Sequence, residues 1–288
     1  MNPQETKVKK RKMPRVLRAL LTNPLAMIGL VLVLINLSMV IFAPQLAPYD
    51  PEQMTLRKRH TPPNMEHLLG TDFFGRDILS RIIYGSRISF SLGLFVVTGG
   101  LIVGTAVGLT AGYFGGRIDS ALMRFTDVFI TFPQLLLAMA IMAVWGAGFG
   151  NVVFALTVTG WTSFARIIRA EALSLRNGEY IQAARSLGAS DMRIMFRHLL
   201  PNIMAPIIVQ ASMGMASPIL TEAALSFLGL GMPPNIPSWG GMLSIDRDFI
   251  DTAWWSVTFP GLAIAFSVLG FNLFGDGLRD ILDPKLKS

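Results

Sequence analysis

The amino-acid sequence predicts an all-α integral membrane protein with six transmembrane helices. Of the 288 residues, 52% are hydrophobic and only 15% are charged, which is less charge than a soluble chain of this size usually carries. The apolar residues fall into six runs of about the length that a helix needs to cross a bilayer. These predicted spans cover residues 25–43, 88–112, 127–148, 151–168, 203–228 and 254–274.

Residues 1–24 form a basic segment ahead of the first span. Seven Lys and Arg residues stand in this segment, and such a flank is typical of the cytoplasmic side of a membrane helix. The first span, residues 25–43, continues through Phe42-Ala43-Pro44 into more chain without a small-residue cleavage site. We therefore expect a retained transmembrane helix rather than a signal peptide.

Residues 44–87 form the first loop between spans, and this loop is rich in Pro and in charge. At its end Ile78, Leu79, Ile82 and Ile83 make an apolar stripe, with charged and polar residues on the other faces. The stripe predicts a separate amphipathic helix that lies in the membrane interface and anchors the loop.

Residues 88–288 form a core of five spans. Small residues at a spacing of four let membrane helices approach one another closely, and the second span has four glycines at that spacing: Gly100, Gly104, Gly108 and Gly112. We expect a short turn at 113–124 and a third span that is broken early by Pro133. A Pro-rich second loop follows at 229–251.

The distribution of basic residues predicts the orientation of the chain. Six spans place both termini on the same side of the membrane. About eighteen Lys and Arg residues lie on that side and seven on the other, six of the seven in the first loop. Because Lys and Arg accumulate in cytoplasmic segments, we expect both termini in the cytoplasm.

The longest polar interruption in the second half of the chain runs from Glu171 to Asn202. It predicts two short helices, because apolar residues recur twice at i, i+3, i+4 and i+7: Tyr180, Ala183, Ala184 and Leu187, then Met192, Met195, Phe196 and Leu199. Gly188 predicts a left-handed stop of the first helix, Ser190 an N-cap of the second, and Pro201 its end or a bend. Periodicity alone leaves open a hairpin that packs only against its own protein.

Several motifs resemble one known family. The segment Q-A-A-R-S-L-G ends at Gly188, and Leu200-Pro201 follows twelve residues later. This pattern resembles the EAA loop of ABC-importer permeases. Gln182 stands where that loop usually has a Glu. The segment G-T-D-F-F-G-R-D-I-L-S-R, which begins at Gly70, resembles dipeptide, oligopeptide and nickel importer permeases. The segment E-A-A-L-S-F-L-G-L-G and the tail G-D-G-L-R-D-I-L-D-P-K-L are similar to the same family. The resemblance implies the six-span fold of a type I ABC importer permease.

What the resemblance implies about function is specific. The chain would be the inner-membrane permease subunit of an ATP-driven importer for di- or oligopeptides, with a nickel or metal-chelate importer as the alternative. Its partners would be a homologous second permease, two ABC ATPase subunits that bind ATP and Mg²⁺, and an extracytoplasmic substrate-binding protein. A cytoplasmic loop at 169–202 would couple the ATPases to alternating access of the spans. The implied coupling residues are Glu179, Tyr180, Ile181, Gln182, Ala183, Ala184, Arg185, Leu187, Gly188 and Pro201.

The predicted spans are almost free of ionisable side chains, and Glu222 in the outer part of the fifth span is the exception. An acid inside a membrane is a functional candidate by default, because its exposure to lipid is costly. A hydrogen bond to a neighbouring helix or to backbone is the alternative role. Together with Gln210 and Ser217, Glu222 is a candidate for the translocation path. A lone acid forms no proton relay, so the energy for transport must enter from another subunit.

The sequence shows no catalytic or cofactor-binding constellation, so we expect neither an enzyme nor a bound cofactor. No Lys lies between Lys58 and Lys285, which excludes a Walker A phosphate loop in the body of the chain. With no Cys and three scattered His residues, we expect no metal site. The basic residues sit beside apolar runs, which favours membrane topology over nucleic-acid binding. An ATP-independent channel or carrier and a membrane scaffold are the competing classes.

Overall fold

The computed structural model describes residues 23–282, which form helices joined by turns and loops and contain no β-strand. The predicted basic segment lies outside the described residues apart from its last two positions. The α-helices are α1 Pro24–Leu46, α2 Ile78–Phe114, α3 Gly116–Thr131, α4 Gln134–Trp145, α5 Phe149–Leu175, α6 Glu179–Ser186, α7 Asp191–Arg193, α8 Met204–Gly214, α9 Ala216–Phe227, α10 Trp239–Asp246 and α11 Trp254–Leu282. A π-helical turn at Ile194–Leu199 and a 3₁₀ turn at Leu200–Ile203 connect α7 to α8.

Five segments of this part of the chain are long and apolar enough to cross a membrane: α1, α2, α5, the segment Asp191–Phe227, and α11. The pair α3 and α4, bent by 80° at its junction, makes a sixth crossing if it is one span. Both ends of the described chain meet at one face, since Asn23 Nδ2 donates to Asp280 Oδ2 at 3.4 Å. We call this the terminal face and the opposite one the loop face.

Helix α2 is a single helix of 37 residues, so the prediction of a separate interfacial helix around Ile78 was wrong. The helix begins at Asp77, whose Oδ2 accepts a hydrogen bond from Ser80 N at 2.8 Å. Polar residues in its first turns are covered by the loop before it. Arg81, for example, is fully buried and donates from Nη1 to Pro51 O at 2.9 Å. Because protein rather than lipid surrounds these side chains, the helix continues through them without a break.

The glycine ridge of α2 packs along α5, as predicted. A Cβ at Gly104 would stand 2.5 Å from Phe164 Cβ, and one at Gly108 would press on the carbonyl oxygen of Ala165. At the terminal face, a Cβ at Gly112 would collide with Ala172. The two helices therefore approach most closely at Gly108, where backbone meets backbone, while the Phe164 side chain packs against the ridge at Gly100 and Gly104.

The turn after α2 is much shorter than the predicted 113–124. Within this turn, only Gly115 and Gly116 take left-handed conformations, with φ of 65° and 55°. Helix α3 begins at Gly116. Helical structure continues because Asp119 in the first turn of α3 forms an ion pair with Arg169 of α5, in which Arg169 Nη2 lies 2.7 Å from Asp119 Oδ2. The predicted break at Pro133 is confirmed, since it separates α3 from α4.

The two loops of the loop face pack on one another, and the second of them contains α10, which the sequence did not predict. Asp246 at the end of α10 is buried, and its Oδ1 lies 2.9 Å from His60 Nε2 and accepts from Phe73 N at 3.0 Å. Burial raises the pKa of Asp246. Arg76 adds a further bond across the two loops, from Nη1 to Pro234 O at 3.3 Å.

The close contact of α2 and α5 predicts opposite effects of one substitution at two helical glycines. Gly108→Ala should destabilise the protein by about 1–3 kcal/mol, because the new methyl group meets the Ala165 carbonyl in a packed interface. Gly261→Ala is the matched control, since a Cβ there meets nothing within 4 Å and Ala favours a helix by about 0.5–1 kcal/mol over Gly. The measurement is the melting temperature in mild detergent. Equal melting temperatures for the two variants would contradict the packing described.

Candidate functional site

The segment from Leu175 to Ile203 lies at the terminal face and forms the two short helices that the sequence predicts. Helix α6 ends at Gly188, which has φ of 78°, and Ala189 N donates to Ala184 O at 3.1 Å across this stop. The side chain of Ser190 caps α7 by accepting from Arg193 N at 3.4 Å. The predicted left-handed stop and N-cap are both confirmed.

The second short helix is less regular than its periodicity suggests. After one α-helical turn it widens into the π-helical turn Ile194–Leu199 and tightens into the 3₁₀ turn that contains Pro201. Proline has no backbone N–H, and its ring crowds the carbonyl four residues earlier. Pro201 therefore lies where the helix type changes, and the segment runs on through it into α8.

The apolar residues of the two short helices divide into an inward and an outward set. Ile181 is only 1% exposed and packs in the core with Ile194, while Ala184 is half-buried against the same cluster. Ile181 therefore faces its own chain, contrary to its expected place in a contact with a partner. Leu187, in contrast, is 88% exposed. We call the outward set the exposed apolar set; it comprises Tyr180, Leu187, Met192 and Phe196.

The polar residues predicted for this site are exposed as well, with two held by the chain itself. Glu179 is solvent-accessible and makes no side-chain hydrogen bond among the described residues, and the apolar Ala183 is exposed as well. Gln182 Nε2 donates to Asn177 O at 2.9 Å, which braces the start of α6. Arg185 Nη2 donates to Tyr113 Oη at 3.1 Å, at the end of α2.

A second candidate site is a small cavity of about 100 Å³ that opens at the surface of the bundle and is lined by four polar side chains among apolar ones. Gln210 of α8 and Ser217 of α9 line it, as do Gln134 at the start of α4 and Ser163 of α5. Two irregular points of the helices meet at this cavity: α4 starts after Pro133, and the hydrogen-bonding pattern of the fifth span is irregular at Met215, which keeps helical backbone angles. The structure thus brings Gln210 and Ser217 together. Gln134 was not among the predicted site residues, although its place directly after a proline in a span is a usable signal.

Glu222 does not line this cavity. It is completely buried, and its Oε1 accepts a hydrogen bond from Ser226 Oγ at 2.6 Å. Ser226 Oγ in turn accepts from Met232 N at 3.0 Å. Ser226 therefore links α9 to the start of the second loop, with Glu222 as the acceptor for its hydroxyl, and the structure separates Glu222 from the other two path candidates. Within residues 23–282, no group of three His, Cys, Asp or Glu side chains is arranged to hold a metal ion.

The fold and the two sites define a class of membrane transport subunit. The structure resembles a chain of the inward-facing MetNI methionine ABC transporter, with a TM-score of 0.58 and 17% sequence identity over 71% of this chain and 97% of that one. This likeness identifies the fold as that of a type I ABC importer permease, as predicted.

The chain belongs to the family of binding-protein-dependent transport system inner membrane components. The sequence profile of that family matches residues 104–288, and the profile for the N-terminal transmembrane domain of oligopeptide transport permease C matches residues 13–63. A dipeptide transport system permease protein of Alkalihalophilus pseudofirmus is 48% identical over 92% of this chain and 88% of its own. The dipeptide transport system permease protein of Escherichia coli is 49% identical over 92% of this chain and 91% of its own. This chain is accordingly a multi-pass protein of the inner membrane.

The burial of Glu222 predicts a structural rather than a transporting role. Glu222→Gln should keep the melting temperature and transport close to wild type, because the amide oxygen can still accept from Ser226 Oγ. Glu222→Leu should cost about 1–3 kcal/mol of stability, because it removes that acceptor from a buried hydroxyl. The measurements are thermal unfolding and substrate uptake. A Gln variant of normal stability that fails to transport would contradict this assignment.

Proposed function

We propose that the chain is the transmembrane permease subunit of an ATP-driven importer for di- and oligopeptides. The observation that carries the proposal is its likeness to dipeptide transport permeases, at 48% and 49% identity over more than nine-tenths of the chain. The type I ABC importer fold supports the same function. The chain itself performs no catalytic step: ATP and Mg²⁺ bind to partner subunits.

The exposed apolar set supports a docking role for α6. Leu187 and Tyr180 stand outside the apolar spans on the terminal face, and Met192 and Phe196 follow on the next short helix. A soluble ATPase subunit that covers these side chains removes them from water, which is favourable in proportion to the apolar area buried. The terminal face is then the cytoplasmic one, in agreement with the charge distribution.

The polar cavity supports the position of the translocation path. A path for a peptide needs polar groups and helices that can rearrange within the bilayer, and broken helices at membrane depth are tolerated where they line a cavity. The cavity at Gln134, Gln210 and Ser217 has both properties. Transport proceeds by alternating access: the ATPases move α6, the spans open outward, and an extracytoplasmic binding protein delivers the peptide. A homologous second permease completes the path.

One experiment tests the whole assignment. The chain is affinity-purified in mild detergent, its partners are identified, and the complex is reconstituted in vesicles with a radiolabelled dipeptide or with Ni²⁺. We expect two ATPase subunits and a second permease to co-purify, and dipeptide uptake to require ATP and the binding protein. Uptake by the purified chain alone would instead identify a channel or carrier, and Ni²⁺ uptake without dipeptide uptake would identify a nickel importer.

Leu187 provides a test of the docking surface. Leu187→Asp should reduce co-purification of the ATPase subunits about tenfold or more, because it places a charge in a desolvated apolar contact. The matched control is Met65→Asp, which replaces an apolar side chain that is 98% exposed on the loop face. The control should retain the ATPases, and both variants should keep the wild-type melting temperature. Full ATPase retention by the Leu187 variant would refute this docking surface.

Gly188 provides a test of the geometry of the loop. Its left-handed conformation suits Gly and is tolerated by Asn, but strains a β-branched residue. A Cβ at this position would meet nothing within 4 Å, so backbone conformation alone decides the outcome. Gly188→Asn should support transport close to wild type, and Gly188→Val should lose most ATP-coupled transport at equal membrane expression. Equal transport by the two variants would show that the conformation at this residue is unimportant.

A further inference from the structure

Tyr113 is a buried side chain at the terminal end of α2 that contacts both short helices of the segment around Gly188. Its hydroxyl donates to Asp191 Oδ1 of α7 at 2.5 Å and accepts from Arg185 Nη2 of α6 at 3.1 Å. The side chain is only 4% exposed, and its ring belongs to the same core cluster as Ile181 and Ile194. One phenol oxygen thus joins three helices.

The hydrogen bonds of Tyr113 are needed because Gly188 does not fix the angle between α6 and α7 by itself. No atom lies within 4 Å of the place where a Cβ would stand at Gly188, so the chain there is restrained only by its neighbours: Ala189 N bonds to Ala184 O, and both alanines pack on the core cluster. Glycine also has the greatest backbone freedom of any residue. Hydrogen bonds to charged groups are shorter and about twice as strong as neutral ones, and Tyr113 makes one on each side of the stop.

The end of α2 that carries Tyr113 is itself rigid. Gly112 packs directly on Ala172 of α5, and Arg176 at the end of α5 crosses over Gly112 and Gly115. From there α2 runs unbroken to Asp77 at the loop face. A displacement of α6 that reaches Tyr113 therefore acts on a helix that crosses the whole membrane.

We propose that Tyr113 is a positioning residue that transmits the movement of α6 and α7 to α2. This proposal rests on the proposed function, since it assumes that an ATPase subunit moves α6. The exposed apolar set receives the displacement, the hydroxyl of Tyr113 keeps α6, α7 and the end of α2 together, and α2 carries the motion towards the loop face. Without the hydroxyl, the ATPases still dock and still hydrolyse ATP, but α6 moves without α2.

The test uses Tyr113→Phe in the complete importer reconstituted in vesicles. This variant keeps the buried ring and removes only the hydroxyl. We expect the ATPase subunits to co-purify in wild-type amounts and peptide transported per ATP hydrolysed to fall about tenfold, the scale set by hydrogen bonds to charged groups. The matched control is Tyr84→Phe near the other end of α2, whose ring lies by the guanidinium of Arg87 and keeps that contact in Phe. The control should leave the ratio unchanged.

Substitutions of the partner residue distinguish transmission from simple stabilisation. Asp191→Asn retains an acceptor oxygen and should keep most of the transport per ATP, whereas Asp191→Ala should lose it. The double variant Tyr113→Phe with Asp191→Ala should be no worse than Tyr113→Phe alone, because the bond to Asp191 is one of the two that Tyr113→Phe already removes. Additive losses would show that the two residues act separately and would overturn the proposal.

A spectroscopic measurement follows the loop directly. The chain has no Cys, so Ser186→Cys at the exposed end of α6 can carry a single nitroxide label in the assembled complex. Tyr113→Phe should increase the mobility of this label in the electron paramagnetic resonance spectrum. Unchanged mobility together with an unchanged transport ratio would refute the proposal. If ATPase subunits fail to co-purify even with the wild-type chain, the proposed function fails instead, and the two failures are thereby told apart.

Discussion

Direct contact between the backbones of α2 and α5 is the constraint on which the arrangement of the other helices depends. In a bilayer the lipid chains are as apolar as the side chains, so burial of apolar surface does not drive helices together. Close approach and dispersion do so instead, and the glycines from Gly100 to Gly112 permit it. Glycines allow the same close approach where α1 meets α11. A Cβ at Gly270 would collide with Leu32, and one at Gly277 would collide with Ala26. The first span is thus held by the last.

This rigid pair contrasts with the broken helices beside it. The α3–α4 bend and the interruption between α8 and α9 both fall next to the polar cavity, while α2 and α5 pass it without a break. Backbone groups released at a break inside a membrane must find partners in protein or in a water-filled cavity. The bundle thus combines two continuous helices, α2 and α5, with the sharply bent pair α3–α4 and the irregular segment α8–α9.

One cluster of charged residues at the loop face is covered by protein. Arg76 and Arg81 are almost completely buried at the loop face beside Asp72, with Arg76 Nε donating to Asp72 Oδ2 at 2.7 Å. An ionised group without a partner in such a place is expensive, and removal of one member of a buried pair leaves the other uncompensated. The cluster therefore ties the first loop to the top of α2. On the terminal face, the hydroxyl of Tyr113 links the end of α2 to α6 and α7.

Much of the structure could be predicted from the sequence alone, because several of its features depend on local chemistry. The six apolar runs, the glycine ridge, the break at Pro133, the left-handed stop at Gly188 and the cap at Ser190 each depend on a few adjacent residues, and the structure contains all of them. The sequence motifs also identified the family. Helix boundaries were less accurate: the polar start of α2 looked like a separate helix, because the loop that covers Arg81 comes from thirty residues away.

The tertiary structure alone decided which face of each element is buried and which distant groups meet. The family resemblance placed Ile181 in a docking contact, but packing in the core cluster that includes Ile194 turns it inward. Glu222 was grouped with Gln210 and Ser217, and only the path of α9 separates it from their cavity. No sequence pattern indicated the role of Tyr113, because its two hydrogen-bond partners follow it by 72 and 78 positions in the chain. Local propensities determine which segments are helical and where single stops and caps fall, whereas contacts between distant segments depend on how the whole bundle packs.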